Sequence, residues 1–218
     1  MKKFLTLITL STILTGILNA QPPKGMGTND PAAKKILDGV SAKFKSYKTI
    51  QAKFSLTVEN ASGKNMGTKS GTVFMKGSKY RYNLPAQEVF SDGSNVWSVD
   101  KAAKEVTVNK IDPYNSGITP QKLMTSFYDK DFLYKFNVEN KGIQEIELTP
   151  IDKSKPYFKI LIYVNKASQS LSSTKVFMKD GSRTTYTTSG LNTGNNITDA
   201  NFVFDAKKYP GMEVVDLR

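Results

Sequence analysis

From Ile50 to Glu59 apolar and polar side chains alternate without a break. Ile50, Ala52, Phe54, Leu56 and Val58 are apolar, and Gln51, Lys53, Ser55, Thr57 and Glu59 are polar. A period of two puts each set on its own face, which predicts a strand of an antiparallel sheet covered on one side only. A slip of one residue would bury Lys53 and expose Phe54, so the register is firmly set. Upstream the period changes. Asn29-Asp30-Pro31 supplies a capping side chain followed by a proline, the signature of a helix start. Ile36, Leu37, Val40, Phe44 and Tyr47 then recur at helical spacing, with Lys34, Lys35, Lys43 and Lys45 on the opposite side. Packing on a sheet accounts for this stripe; the functional alternative is that part of it lines a ligand cavity.

Gly71 to Val108 reads as an antiparallel meander, with short apolar runs cut at Lys76-Gly77-Ser78, Leu84-Pro85 and Asp92-Gly93. After a loop containing Pro113 and Gly117, Thr119-Pro120 opens a second short helix carrying Leu123, Met124, Phe127 and Tyr128. Those side chains either plug the open side of a sheet or form the moving part of a lid. Strands follow at Phe132–Val138, Ile146–Leu148, Tyr157–Val164 and Thr174–Thr188, turning at Asn140-Lys141-Gly142 and Asp180-Gly181; Phe202 and Phe204 suggest a last short strand. The fold class is α+β: a strongly curved antiparallel sheet, an unclosed half-barrel, with short helices lidding its concave hydrophobic face.

Composition removes most enzyme chemistry. The 218 residues include no Cys and no His, which excludes disulfides, thiolate or imidazole metal ligands, and the Ser-His and Cys-His nucleophile pairs. Asp92, Asp100 and Asp180 stand in turns, where Asp has a backbone role. The expectation is a binding protein with no metal and no cofactor. The formal charge is +12, but lysines are scattered rather than bunched, which describes a solvated surface rather than a nucleic-acid footprint. Residues 1–20 have the form of an export signal: Lys2 and Lys3, an apolar stretch from Phe4 to Leu18, and Leu18-Asn19-Ala20 as the cleavage site. Residues 21–30 read as a flexible arm and 31–218 as one domain, exported, soluble and monomeric.

The ordered set Tyr80-Arg81-Tyr82, Pro85, Gln87-x-Val89-x-Ser91-Asp92-Gly93, Val96-Trp97-x-Val99-Asp100 resembles the LolA family of periplasmic carriers of outer-membrane lipoproteins. Thr119-Pro120-x-x-Leu123, the run from Ile146 to Val164 and Pro210-Gly211-Met212-Glu213-Val214 are similar to further family segments. The resemblance implies a cargo of acylated lipoproteins, taken from an inner-membrane lipoprotein-releasing ABC transporter to an outer-membrane acceptor. A LolA-like sensory protein, or a binder of another amphiphile, is the alternative. The expected ligand-binding residues are Ile50, Phe54, Leu56, Val58, Val73, Met75, Tyr82, Trp97, Leu123, Met124 and Phe127. Met75, Met124 and Met178 would supply adaptable contacts. Many members of the family place Arg-Pro after the strand that ends here at Lys76, and that arginine is thought to latch the lid. Gly77-Ser78 stands at that point instead, so Lys76 or Arg81 is the expected lid contact, in a less geometrically specific form if it is the lysine.

Overall fold

A computed structural model describes residues 29–111 and 128–218. Helix α1 (Pro31–Ser46) begins where the capping signal predicts. The Asp30 carboxylate accepts the Ala32 N–H at 2.7 Å and, with its other oxygen, the Phe136 N–H at 3.0 Å. These backbone donors, Phe136 first, hold the Asp30 carboxyl below its ordinary range. Asp30 N–H in turn donates to Tyr134 O at 3.0 Å. One residue therefore starts the helix and stitches it to the sheet.

Among the described residues the strands are β1 (Ile50–Glu59), β2 (Asn65–Lys76), β3 (Lys79–Asn83), β4 (Gln87–Ser91), β5 (Asn95–Asp100), β6 (Glu105–Lys110), β7 (Phe132–Asn140), β8 (Ile143–Pro150), β9 (Tyr157–Asn165), β10 (Ser170–Met178), β11 (Arg183–Asn192) and β12 (Glu213–Asp216), with a helical turn α2 (Tyr128–Asp131) before β7. They form one sheet in the order β12-β6-β5-β4-β3-β2-β1-β11-β10-β9-β8-β7. Neighbours are antiparallel except β12, which runs parallel to β6. The sheet curves without closing, leaving β7 and β12 as edges: the α+β half-barrel that the strand pattern predicts.

Register fixes which side chains share a face, because directly paired residues point the same way. Ile50 pairs with Met75 and Met75 with Tyr80; Ala52 pairs with Val73 and Val73 with Tyr82. In the other direction Leu56 pairs with Tyr186, and Tyr186 with Thr174. This is the inner face, and α1 lies on it. Ala33, Leu37 and Val40 pack with Tyr134, Ile146, Leu148, Ile160, Ile162, Val164 and Val176. Phe44 and Tyr47, at the far end of α1, pack with Ile50, Ala52, Val73 and Met75. Lys53 points the other way and is exposed.

The outer face carries a second core. Phe74 pairs with Arg81, Arg81 with Phe90, Phe90 with Trp97 and Trp97 with Val108. Phe90, Val99 and Val106 are buried there beneath Phe204, Tyr209 and Met212. The strand expected at Phe202 and Phe204 is absent. Short 3-10 turns at Asp199–Phe202 and Ala206–Lys208 replace it. This segment lies across β3 and β4 rather than beside a free strand edge, since the edge at β6 is taken by β12. Its rings enter a core instead of a ladder: Phe202 is fully buried, and Phe204 meets Phe90 edge-on at 6.4 Å.

Candidate lipid-binding cavity

The C-terminal turns of α1 bridge a hollow in the inner face. Val40, Phe44 and Tyr47 from the helix, Ile50 and Ala52 from β1, Val73 and Met75 from β2, and Leu171 from β10 enclose a cavity of about 250 Å³. A neighbouring hollow of about 330 Å³ shares Phe44, Tyr47, Ile50 and Met75 and opens past Lys45, Gly77 and Ser78. The lining is apolar toward β1 and β2. It becomes polar at the β9–β10 turn and the end of β11, where Asn165, Ser168, Gln169, Ser170, Ser172, Thr188 and Ser189 form the rim. Lys43 spans that rim, its Nζ donating to Ser168 O at 2.5 Å. An apolar hollow with a polar mouth suits an amphiphile with its chain inside and its head at the rim.

Of the residues expected to bind ligand, Ile50, Val73 and Met75 stand in the cavity wall. Phe54 and Tyr82 share their face and support them from the side, in edge-to-face contact at 5.9 Å. The Tyr82 hydroxyl is buried with no hydrogen-bond partner among the described residues, and burial pushes its ionisation well above the ordinary phenol range. Leu56 and Val58 lie farther along the same face, where Val58 is exposed. Leu123, Met124 and Phe127 lie outside the described residues. Met178 packs against the core under α1, away from the hollow.

Three of the expected site residues lie on the other face of the sheet. Trp97 is on the outer face, paired with Phe90 and Val108. Lys76 and Arg81 are on that face too. Lys76 meets Asp199 at 2.8 Å and shares it with Lys79 at 2.6 Å. Arg81 meets Glu88 at 2.7 Å and stacks 4.7 Å above the Phe90 ring. Both cations secure the C-terminal segment rather than facing the cavity. Burial would raise the Glu88 carboxyl, but Lys101 at 2.8 Å, Arg81 and the Tyr209 hydroxyl at 2.9 Å outweigh it and hold Glu88 below its ordinary range.

Ala52, Leu171 and the hydroxyl-rich rim were not expected at the site. Ala52 lies in the β1 alternation that marks the inner face, and the rim lies in the Ser-rich run at 168–173. The turn aspartates do backbone work: Asp92 accepts the N–H of Ser94 and Asn95, Asp100 those of Ala102 and Ala103, and Asp180 that of Ser182.

Residues 45–205 match the family model described as outer membrane lipoprotein carrier protein LolA. The chain belongs to the LolA family. An outer-membrane lipoprotein carrier protein of Cupriavidus necator is 32% identical over 108 residues, 47% of this chain and 51% of that protein. This match thus spans about half the length of that relative. One of Pasteurella multocida is 29% identical over 178 residues, 78% of this chain and 81% of that protein. The crystal structure of an uncharacterized conserved protein from Thermus thermophilus superposes with a TM-score of 0.55 at 12% identity, over 85% of this chain and 99% of that one, a likeness of fold alone. The LolA match takes in β1 to β11 but starts at Lys45, so the α1 residues Val40, Lys43 and Phe44 that close the cavity precede it.

Proposed function

We propose that this LolA-family chain is a lipoprotein carrier that shields acyl chains between α1 and the inner face of β1 and β2. The observation that supports this most is the apolar hollow of about 250 Å³ behind a polar rim. Its value is energetic. Each methylene kept from water is worth about 0.8 kcal/mol, so a chain of roughly 15 methylenes costs on the order of 12 kcal/mol to move through water unshielded. Ile50, Phe54, Leu56, Val58, Val73, Met75 and Tyr82 supply the apolar face in this reading, with Leu123, Met124 and Phe127 on its lid. The protein is exported with residues 1–20 as its signal and 31–218 as its carrier domain. It works as a monomer in the periplasm without catalysis, receiving cargo from an inner-membrane ABC transporter and releasing it to an outer-membrane acceptor.

Native mass spectrometry of the protein recovered from the periplasm tests this. The expected result is a 1:1 complex with an acylated protein that dissociates under mild activation. A co-purifying phospholipid or fatty acid, with no acylated protein under any loading condition, would assign the cavity to another amphiphile.

A further inference from the structure

At the end of the sheet remote from the cavity, three chain reversals meet: the β1–β2 turn, the β8–β9 loop and the β10–β11 turn. A Cβ built on Gly181 would lie 2.8 Å from the Ala61 Cβ, and Lys179 N–H donates to Pro156 O at 2.9 Å. Two large apolar side chains protrude here, Ile151 at 46% and Phe158 at 49% exposure. Phe158 leans on Phe177, with ring centres 6.2 Å apart. Three cations surround the Phe177 ring: Lys159 Nζ at 4.4 Å, Lys175 Nζ at 5.9 Å and the Arg183 guanidinium at 5.9 Å. Lys153, Lys155 and Lys179 complete the cluster. Glu59 binds Lys175, Asp152 binds Lys155, and Asp180 is held by its own turn. Asp131 lies beside Ile151, whose N–H donates to Asp131 O at 3.0 Å, and is a further acid at the margin of the patch. Lys153, Lys159, Lys179 and Arg183 have no carboxylate within ion-pair distance among the described residues.

We propose that this end of the molecule docks on the surface of an anionic phospholipid bilayer. A bilayer is layered in the way this patch is: phosphates at the surface for the lysines and Arg183, and an apolar zone just beneath for Ile151 and Phe158. Cations held around the half-buried Phe177 ring keep their charge near the surface plane while the exposed Phe158 ring enters it. An acidic protein would satisfy the charge but would also need apolar pockets matched to the two protruding tips, whereas a bilayer offers an apolar zone wherever they enter. Docking at this end turns the cavity rim, at the opposite end of β9 and β10, away from the bilayer plane. The proposal concerns the outer surface and stands whatever the cavity carries.

The test is co-sedimentation of the purified exported protein with vesicles of phosphatidylcholine alone and of equal parts phosphatidylcholine and phosphatidylglycerol. Binding is expected to the anionic vesicles only and to vanish in 0.5 M salt, where the Debye length falls to roughly 4 Å from about 10 Å at 0.1 M. Lys153→Glu, Lys159→Glu and Lys179→Glu together should lower the partition about a hundredfold, roughly fivefold for each lysine at the least. The exposed residues Lys104, Lys110 and Lys207, changed to Glu together, alter net charge equally and should cost far less. Phe158→Ser should cost about tenfold with charge untouched. Circular dichroism checks that each variant folds. Wild-type protein left in the supernatant with anionic vesicles would overturn the proposal and make an acidic protein the better occupant. Equal losses in the two triple variants would also overturn it, by reducing the effect to net charge.

Discussion

Ala52→Phe separates a cavity that binds chains from one that is merely unfilled. Ala52 is 4% exposed, shares its face with Ile50 and Val73, and lines the hollow under α1. The substitution adds the six ring carbons of Phe beyond the existing Cβ. In a filled core such a change costs about 1–3 kcal/mol through overpacking. Here the ring has about 250 Å³ to enter, so the fold should keep its stability or gain a little. Ligand binding should respond in the opposite sense. If the ring displaces about six methylenes of a bound chain, roughly 5 kcal/mol of burial is lost at 0.8 kcal/mol each. A chain that slides toward the second hollow recovers part of that, so a loss of at least about a hundredfold is expected, near 2.7 kcal/mol. The assay is titration of a fluorescent fatty-acid probe, with thermal unfolding as the folding control. Lys53→Leu, next in sequence but on the outer face, should leave probe affinity unchanged. An Ala52→Phe variant that folds and binds the probe as tightly as wild type would refute the assignment of this hollow to acyl chains.

Three further outcomes follow from the packing. Glu88→Gln, at a carboxylate only 7% exposed and shared by Arg81, Lys101 and Tyr209, should cost about 1–3 kcal/mol in denaturant unfolding. Because the folded Glu88 carboxyl is held below its ordinary value, its stabilisation is present above about pH 4.5 and is lost as pH falls through the lower folded value; with Asp30 and other lowered carboxyls still present, acid titrations of Glu88→Gln should show a shallower loss than those of the wild type. Gly71→Ala would set a Cβ 2.2 Å from Asn83 O, a backbone atom that cannot yield cheaply, so a thermal melt should show a loss of about 1–3 kcal/mol. Gly39→Ala, inside α1 with nothing nearer than Gln169 Nε2 at 3.8 Å, should instead raise stability by about 0.5–1 kcal/mol.

The half-barrel was legible in the sequence because its elements announce themselves locally. The period of two in β1, the Asp30-Pro31 helix start and the Asp-Gly turns each need only neighbouring residues. Face assignment beyond β1 needed more. In β2 to β5 both faces are apolar or aromatic: Val73, Met75, Tyr80 and Tyr82 point inward, and Phe74, Phe90, Trp97 and Val99 outward. Alternation there cannot say which set meets the cavity, and what covers the outer set arrives about a hundred residues later, as Phe204 and Tyr209. Register carried through the hairpins would have resolved it. The two-residue turn Gly77-Ser78 pairs Lys76 with Lys79, which puts Arg81 on the Lys76 face; Arg81 then pairs with Phe90 and Phe90 with Trp97. Tyr82 and Trp97 therefore point oppositely, although both belong to the same family-like run. The polar rim was illegible for another reason: serines in a turn carry no periodic signal, and only the approach of Lys43 to Ser168 gives them a place.

Helix α1 is fastened very unequally along its length. Near its start, Asp30 ties it to Tyr134 and Phe136, and at mid-helix Asp38 accepts from the Tyr128 hydroxyl at 2.6 Å and from Lys34. At its other end, Lys43 makes a polar contact to the sheet side, and Phe44 and Tyr47 make apolar ones around the hollow. The helix is thus a lever with its pivot at β7. Its 16 residues span about 24 Å, so a tilt of about 5° at the pivot lifts Phe44 and Tyr47 by roughly 2 Å while barely disturbing Ala33. Room for a thicker or branched occupant can be made at one end of the helix while the other keeps its hydrogen bonds.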